Sequence, residues 1–279
     1  MNWTPSAEQQ VIVATKHLKE NVLGPVFRGR WGVNLVAAEV DTDLLGTFTG
    51  EVPRIGDVQS TLRSKVQLAL EGAPDAEVIL ATEGSFGPDP ILGWVALHEE
   101  VLLWSWPQKA KELWVTHRSH DTNFSSIETN NWSEVIRWGA RIGFPSAHVI
   151  LRDARGALLA KGIDDTRVLE SLWRGAAEYG PPRIETDMRA NRNPKRREGL
   201  HALAVKTIEA FEAMCPTCSF PGFVARPAEP GAPCSACGSA TRRPMLMKAE
   251  CYECGQVDVS DSADQINGVD PGYCDRCNP

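Results

Sequence analysis

The first 214 residues of this 279-residue chain contain no cysteine. That excludes disulfides and thiolate metal sites from three quarters of the protein. No apolar run approaches the roughly 20 residues that a membrane helix needs. The opening MNWTPSAEQQ has neither the basic nor the apolar segment of a secretory signal, so a cytoplasmic protein with reduced thiols is expected. A surplus of positive charge is also missing: 29 Lys and Arg stand against 36 Asp and Glu, a net −7. Broad electrostatic adhesion to nucleic acid or to an anionic membrane is thereby disfavoured, and only a local basic patch stays open. There is no internal repeat and no low-complexity linker, which excludes a solenoid or a string of tethered modules.

What is present is ordinary globular material, 42% hydrophobic and 23% charged, enough for one or two domains with a substantial core. All eight cysteines fall in the last quarter as four Cys-x-x-Cys pairs: Cys215/Cys218, Cys234/Cys237, Cys251/Cys254 and Cys274/Cys277. Two thiolates separated by two residues grip one tetrahedral metal from a single knuckle, and two knuckles close a four-sulfur structural site. Two zinc ions are expected, in a double ribbon over residues 213–279. Fifteen residues separate the first two pairs and nineteen the last two, which favours pairing in sequence order; interleaved pairing stays open. A closed four-cysteine site stabilises and does not catalyse. Residues 215–279 hold five Arg or Lys against eight Asp or Glu, so the ribbon is read as a contact for a protein partner rather than for duplex DNA.

The preceding body, residues 8–212, reads as an α/β domain, a mixed sheet with flanking helices. Strands are expected at 11–15 (VIVAT), 33–40, 76–81, 94–106, 113–118, 148–152 and 183–186, from apolar β-branched runs bounded by turn residues. Helices are expected at 18–27, 59–70, 131–142 with Asn130 or Asn131 as cap, 166–179, and 194–214 with Pro194 in its first turn.

Polar clusters stand at the expected strand ends. Thr15-Lys16-His17-Leu18-Lys19-Glu20 precedes a helix and forms a plausible anion site. Asp41-Thr42-Asp43 leads into the glycine- and carboxylate-bearing segment that ends at Glu51. Thr82-Glu83-Gly84-Ser85-Phe86-Gly87-Pro88 is expected to break into a glycine loop. In an open α/β sheet such loops share one cleft outside the carboxyl ends of the strands. A fourth cluster, Glu185 to Arg197, holds five basic residues within nine positions, where Arg189 and Arg196 could fork onto phosphate or carboxylate. The polar loop His120 to Asn123 is read as structural, and His17 as a turn residue with a possible catalytic part.

The order of these parts resembles the inosine/xanthosine triphosphate pyrophosphatase superfamily over about the first 110 residues. The matching positions are Thr15 and Lys19 for a phosphate turn, Glu51, Lys65 in the following helix, and Glu83-Gly84 for a magnesium-binding loop. His17 stands where that family has Asn. The resemblance implies Thr15, Lys19 and Lys65 around phosphate and Glu51 and Glu83 around magnesium; the reading of the residues adds Lys16, Arg189 and Arg196 for phosphate and Asp41 or Asp43 for the metal. Nearly the whole chain, through ATKHLKE, DTDLLGTFTGE, ATEGSFGP, ETDMRANRNPKR and the closing CDRCNP, resembles an uncharacterised bacterial family with a domain of unknown function. The expected function is a metal-assisted phosphohydrolase or nucleotide-binding enzyme acting on a phosphorylated small molecule. A non-enzymatic anion-binding protein and a nucleic-acid-associated ribbon protein are the alternatives.

Overall fold

The computed structural model describes residues 3–45 and 56–279. The chain divides into two compact units: a body, Pro5–Ile208, and a module formed by Glu209–Pro279 with the N-terminal residues up to Thr4.

The body begins with β1 (Gln10–Ala14), α1 (Glu20–Trp31), β2 (Asn34–Ala37), α2 (Val58–Gly72), β3 (Ile79–Pro88), β4 (Ala96–Trp106) and β5 (Lys111–Ser119). These strands form one mixed sheet in the order β2-β1-β3-β4-β5. The helical crossovers α1 and α2 make β2, β1 and β3 parallel, whereas short turns make β3, β4 and β5 antiparallel. Alternation along the strands assigns the two faces. Ala81, Val101 and Leu103 pack with Leu62, Val66 and Ala69 of α2. On the opposite face Trp104 meets Phe27 and Trp31 of α1 with ring centroids 5.7 and 5.9 Å apart. Local signals set the helix ends: Asp57 caps α2 by accepting from Ser60 N at 2.7 Å, and Gly32 ends α1 in the left-handed conformation, φ 74°.

The rest of the body is β6 (Ser126–Glu128), α3 (Trp132–Ile142), β7 (Val149–Arg152), β8 (Leu158–Ile163), α4 (Thr166–Ala177), β9 (Arg183–Thr186) and most of α5 (Pro194–Glu212), whose last turn from Glu209 belongs to the module. The four strands make a second, wholly antiparallel sheet, β6-β9-β7-β8. Val135, Trp138 and Ile142 of α3 and Leu169 and Trp173 of α4 bury against its Val149, Leu151, Ile163 and Ile184. Asn131 and Asp165 cap these helices through their side chains, as Asn131 was expected to do.

The expected mixed sheet with flanking helices is present, and the body carries a second sheet as well, because the short β6 and the half-exposed β8 give too little apolar pattern to be read alone. One expectation needs correction. The segment Thr82 to Pro88 is no loop. It is the outer half of β3, paired residue for residue with β4 from Glu83↔Val101 to Pro88↔Ala96, and backbone pairing overrides its two glycines.

The module contains β10 (Arg226–Pro230), β11 (Pro244–Glu250), β12 (Val257–Asp261) and the short α6 (Ala263–Asn267), with the three strands in one antiparallel sheet. Trp3 packs edge-on against Phe220, centroids 5.0 Å apart. Among the described residues no helix is long and apolar enough to cross a membrane.

Candidate functional site

β1 pairs with β3 only as far as Ala14↔Ala81, so beyond that point the β1-facing edge of β3 has no strand partner among the described residues. Val78 O accepts from Ile12 N. By the two-residue period the carbonyl of Thr82 faces the same way, at the carboxyl end of the parallel strands. Two lysines occupy that opening. Lys19 Nζ, from the residue preceding α1, donates to Thr82 O and to Thr82 Oγ1, both at 2.9 Å. Lys65 Nζ, from α2, donates to Thr82 O at 3.2 Å and pairs with Glu83. Thr15, Lys19, Lys65 and Thr82 are all buried.

Beneath them lies a second buried pair. Glu100 of β4, fully buried, accepts from Arg196 Nε of α5 at 2.7 Å, and His98 Nε2 lies 3.1 Å from the same oxygen. Arg196 also donates to Met188 O and lies over the Phe86 ring, 5.4 Å from its centroid. Phe86 in turn stacks on His98 at 4.4 Å. This arrangement requires two glycines. A Cβ on Gly84 would stand 2.4 Å from Arg196 Nη2 and 2.5 Å from Glu100 Oε1, and one on Gly199 would stand 2.2 Å from His98 Cε1. Asn193 holds the start of α5 by accepting from the amides of Lys195 and Arg196 at 3.0 and 3.2 Å.

Three cations, Lys19, Lys65 and Arg196, therefore share a buried neighbourhood with two carboxylates, Glu83 and Glu100. The surplus acts on the lysine itself. Burial pushes the Lys19 ammonium down to about 7, and the charges of Lys65 and Arg196 push the same way against Glu100 and Glu83. For Glu100, burial works against ionisation. The charge of Arg196, the His98 hydrogen bond and the charge of Lys19 outweigh it and hold the carboxyl below the usual carboxylate range. An anion placed here would relieve the cationic excess.

On the α2-facing side, Glu83, Ser85 and Gly87 follow one another along β3, about 7 Å per step. A cavity of about 470 Å³ opens over Ser85 and Gly87, lined also by Leu97, Glu99, Arg118 and His120 among others. Glu99 pairs with Arg118, and Asp89 orients His120 at 2.8 Å while its other oxygen accepts from the amides of Ile91 and Leu92. Mostly apolar walls with a few oriented polar groups suit a small-molecule ligand.

Of the residues expected to meet an anion, Thr15, Lys19, Lys65 and Arg196 come into one region. Lys16 turns to Asp41 at 2.7 Å on the surface, and Arg189 binds Asp187 in the loop before α5. The amide of His17 donates to Thr15 Oγ1 at 3.3 Å. Glu51 and the side chain of Asp43 lie outside the described residues. His98 and Glu100 escaped the sequence reading, although a signal existed: both are polar at positions in phase with Leu102 and Trp104 on a buried strand face.

The cysteines form two groups, Cys215, Cys218, Cys251 and Cys254, and Cys234, Cys237, Cys274 and Cys277, each with its sulfurs within 4.8 Å of one another. Pairing is therefore interleaved, first pair with third and second with fourth, and the expected sequential order is corrected. The strands β10 to β12 bring distant pairs together, which loop length cannot foretell. Sulfur separations of 3.6 Å in the first group and 3.7 and 3.9 Å in the second match the edge of about 3.8 Å of a tetrahedron with metal–sulfur bonds of about 2.3 Å. In all four knuckles the first cysteine's carbonyl accepts from the residue after the second cysteine. Ser219, Gly238 and Gly255 take positive φ there, of 59°, 70° and 73°. Both groups can hold a structural metal ion.

No curated protein matches the sequence. Among solved structures, protein VC0702 from Vibrio cholerae is 11% identical, covering 73% of this chain and 95% of its own, with a TM-score of 0.35. A nucleoside-triphosphatase (dITP/XTP pyrophosphatase) from Mycobacterium abscessus is 15% identical, covering 39% of this chain and 70% of its own, with a TM-score of 0.28. Likenesses this distant carry no weight for fold or activity. A family model does match, over residues 65–279, and the chain belongs to that family, described as a domain of unknown function (DUF6671).

Proposed function

We propose that the body binds a phosphorylated small molecule of nucleotide type, with phosphate at Thr15, Lys19 and Lys65 and the organic part in the cavity along β3, and hydrolyses it as a metal-assisted phosphohydrolase. The observation that supports this is the buried surplus of three cations over two carboxylates at the carboxyl ends of β1 and β3, where open α/β sheets bind ligands. Lys19 and Lys65 donate to phosphate oxygens in place of the Thr82 carbonyl they now share. Arg196, locked on Glu100, supplies field without moving. Glu83, with Glu51 and Asp41 or Asp43, would hold magnesium, which when bound activates water and neutralises charge on the leaving phosphate. His17, beside Thr15, is the candidate to move a proton.

A specific observation favours a second reading, binding without turnover: Glu83 is engaged by Lys65 and Glu100 by Arg196 and His98, so a cation would have to share Glu83 with a lysine. The four-thiolate groups are proposed to hold zinc, which suits tetrahedral sulfur coordination, in a cytoplasmic protein whose module docks a protein partner rather than nucleic acid.

The test is titration of the full chain with pyrophosphate and a panel of nucleoside triphosphates in magnesium, following heat and released phosphate together. Micromolar binding that weakens more than tenfold in Lys19→Met and Lys65→Met, with turnover abolished in Glu83→Gln, is expected. Heat without turnover selects the second reading. If no phosphorylated compound binds, both readings fail.

A further inference from the structure

The loop between β9 and α5 gathers a second set of cations against the antiparallel sheet. Arg189 is oriented by the fully buried Asp187, whose two carboxylate oxygens lie 2.9 and 3.1 Å from its Nε. Arg192 stands next to it. Seen from Gly162 of β8, where a Cβ would sit, Arg189 Nη2 is 3.1 Å away and Arg192 Nε 3.7 Å, so two guanidinium groups crowd one glycine. Gly162 has φ +71°, which admits a side chain only with strain, and the two arginines occupy the space that side chain would need.

The two arginines differ in one respect. Arg189 has its carboxylate, whereas among the described residues no carboxylate pairs with Arg192. Its Nη1 lies 3.5 Å from His148 Nδ1, a nitrogen that also faces Gly162 O at 3.2 Å, and its Nε is shut from solvent with no acceptor. The nearest acid to that histidine is Asp164, 3.8 Å from His148 Nε2 and largely exposed. A purely structural part for the Arg192 side chain is hard to find, because its backbone already fastens the loop: Arg192 O accepts from His148 N at 3.0 Å and Arg192 N donates to Arg189 O at 2.9 Å. A half-buried guanidinium beside another cation, lacking a counter-charge, is the surroundings an oxyanion stabilises.

We propose that Arg192, Arg189 and His148 form a second anion site, on the antiparallel sheet, for a small oxyanion presented as a phosphate group or a carboxylate. The site is independent of the one around Lys19. Arg192 provides the unpaired charge and the planar fork, and Arg189, held by Asp187, provides a second guanidinium of fixed orientation. His148 closes the third side. The same loop continues through Asn193 to Arg196, so occupancy here also steadies the residue that holds Glu100.

The experiment titrates inorganic phosphate, and separately acetate, into the full chain and into Lys19→Met, Arg192→Met and Arg192→Lys, following heat and melting temperature. Lys19→Met is expected to keep one phosphate- or acetate-binding event within threefold of the wild-type affinity. Arg192→Met is expected to weaken that event at least tenfold, and Arg192→Lys, which keeps the charge and loses the fork, to fall between. Phosphate alone producing the event assigns a phosphate site, and acetate acting equally assigns a carboxylate site. The proposal is overturned if Arg192→Met binds both anions as the wild type does, or if Lys19→Met abolishes all binding of both. Should Arg192→Met not fold, Arg192→Lys binding at wild-type strength also overturns it.

Discussion

In the body, nine buried side chains join α3 and α4 to the antiparallel sheet and eight more join α2 to the mixed sheet. In the module, the large buried apolar side chains are Trp3, Phe211, Phe220 and Val269, and Cys215, Cys234, Cys251 and Cys274 are buried alongside them. The body is held by apolar area removed from water, at about 25 cal/mol per Å². The module has little of that, and below roughly 80 residues such a unit needs a staple. The same contrast appears in the charges. The body buries ionised groups and neutralises most of them internally, whereas the module leaves its charged side chains exposed and brings eight thiols together. Polar burial in the body pairs charge with charge; in the module it gathers thiols.

The largest test of that contrast is Cys251→Ser. Because the two cysteine groups interleave, each closes a loop containing a pair from the other, and loss of one should loosen both. Structural zinc is worth about 10–16 kcal/mol of folding free energy in small modules. Metal content is expected to drop from two ions per chain to less than one, with the melting transition of the body kept. One tightly held ion and an undisturbed module would show that the two groups fold independently.

Next comes Arg196→Met, which strands the Glu100 carboxylate in the interior and should cost about 3–5 kcal/mol in urea unfolding of the body. The double variant Glu100→Met with Arg196→Met should recover much of the loss. No recovery would mean that the pair matters through packing on Phe86 rather than through charge. Gly84→Ala is smaller, about 1–3 kcal/mol, since its methyl must displace both partners of the buried pair. A neutral outcome would show that α5 can shift without penalty.

The smallest effect concerns pH. Lys19 sits at about 7 in the folded protein, and a bound anion raises that value, so binding takes up a proton once the free lysine is neutral. Affinity for pyrophosphate should be level below pH 7 and fall by up to tenfold per unit above it, and Lys19→Met should remove that slope. An unchanged slope in the variant would assign the proton elsewhere.

Legibility followed the range of the interaction. The helices 59–70, 131–142 and 166–179 and the strand 183–186 were readable because periodicity and caps such as Asn131 act over a few residues. Glu83 was noticed for its acid, but its lysine partner was seen only as a family match. His98 and Glu100 were passed over because a polar residue inside a strand is informative only once its face is known to be buried. The three-residue β6 exists because β9 pairs with it, and its own residues carry almost no signal.

From the amino-acid order alone came the cysteine-free body, the module of paired cysteines, the α/β class and the strand-end positions of Thr15 and Lys19, all consequences of spacing and local propensity. Only the tertiary structure decided which cysteines share a site, that Thr82 to Pro88 runs as a strand, that Arg196 reaches Glu100 across 96 residues, and that Arg189 and Arg192 meet beside Gly162. Each of these depends on strand register and on packing between distant segments, where burial and unpaired charge are settled by neighbours that no local pattern names.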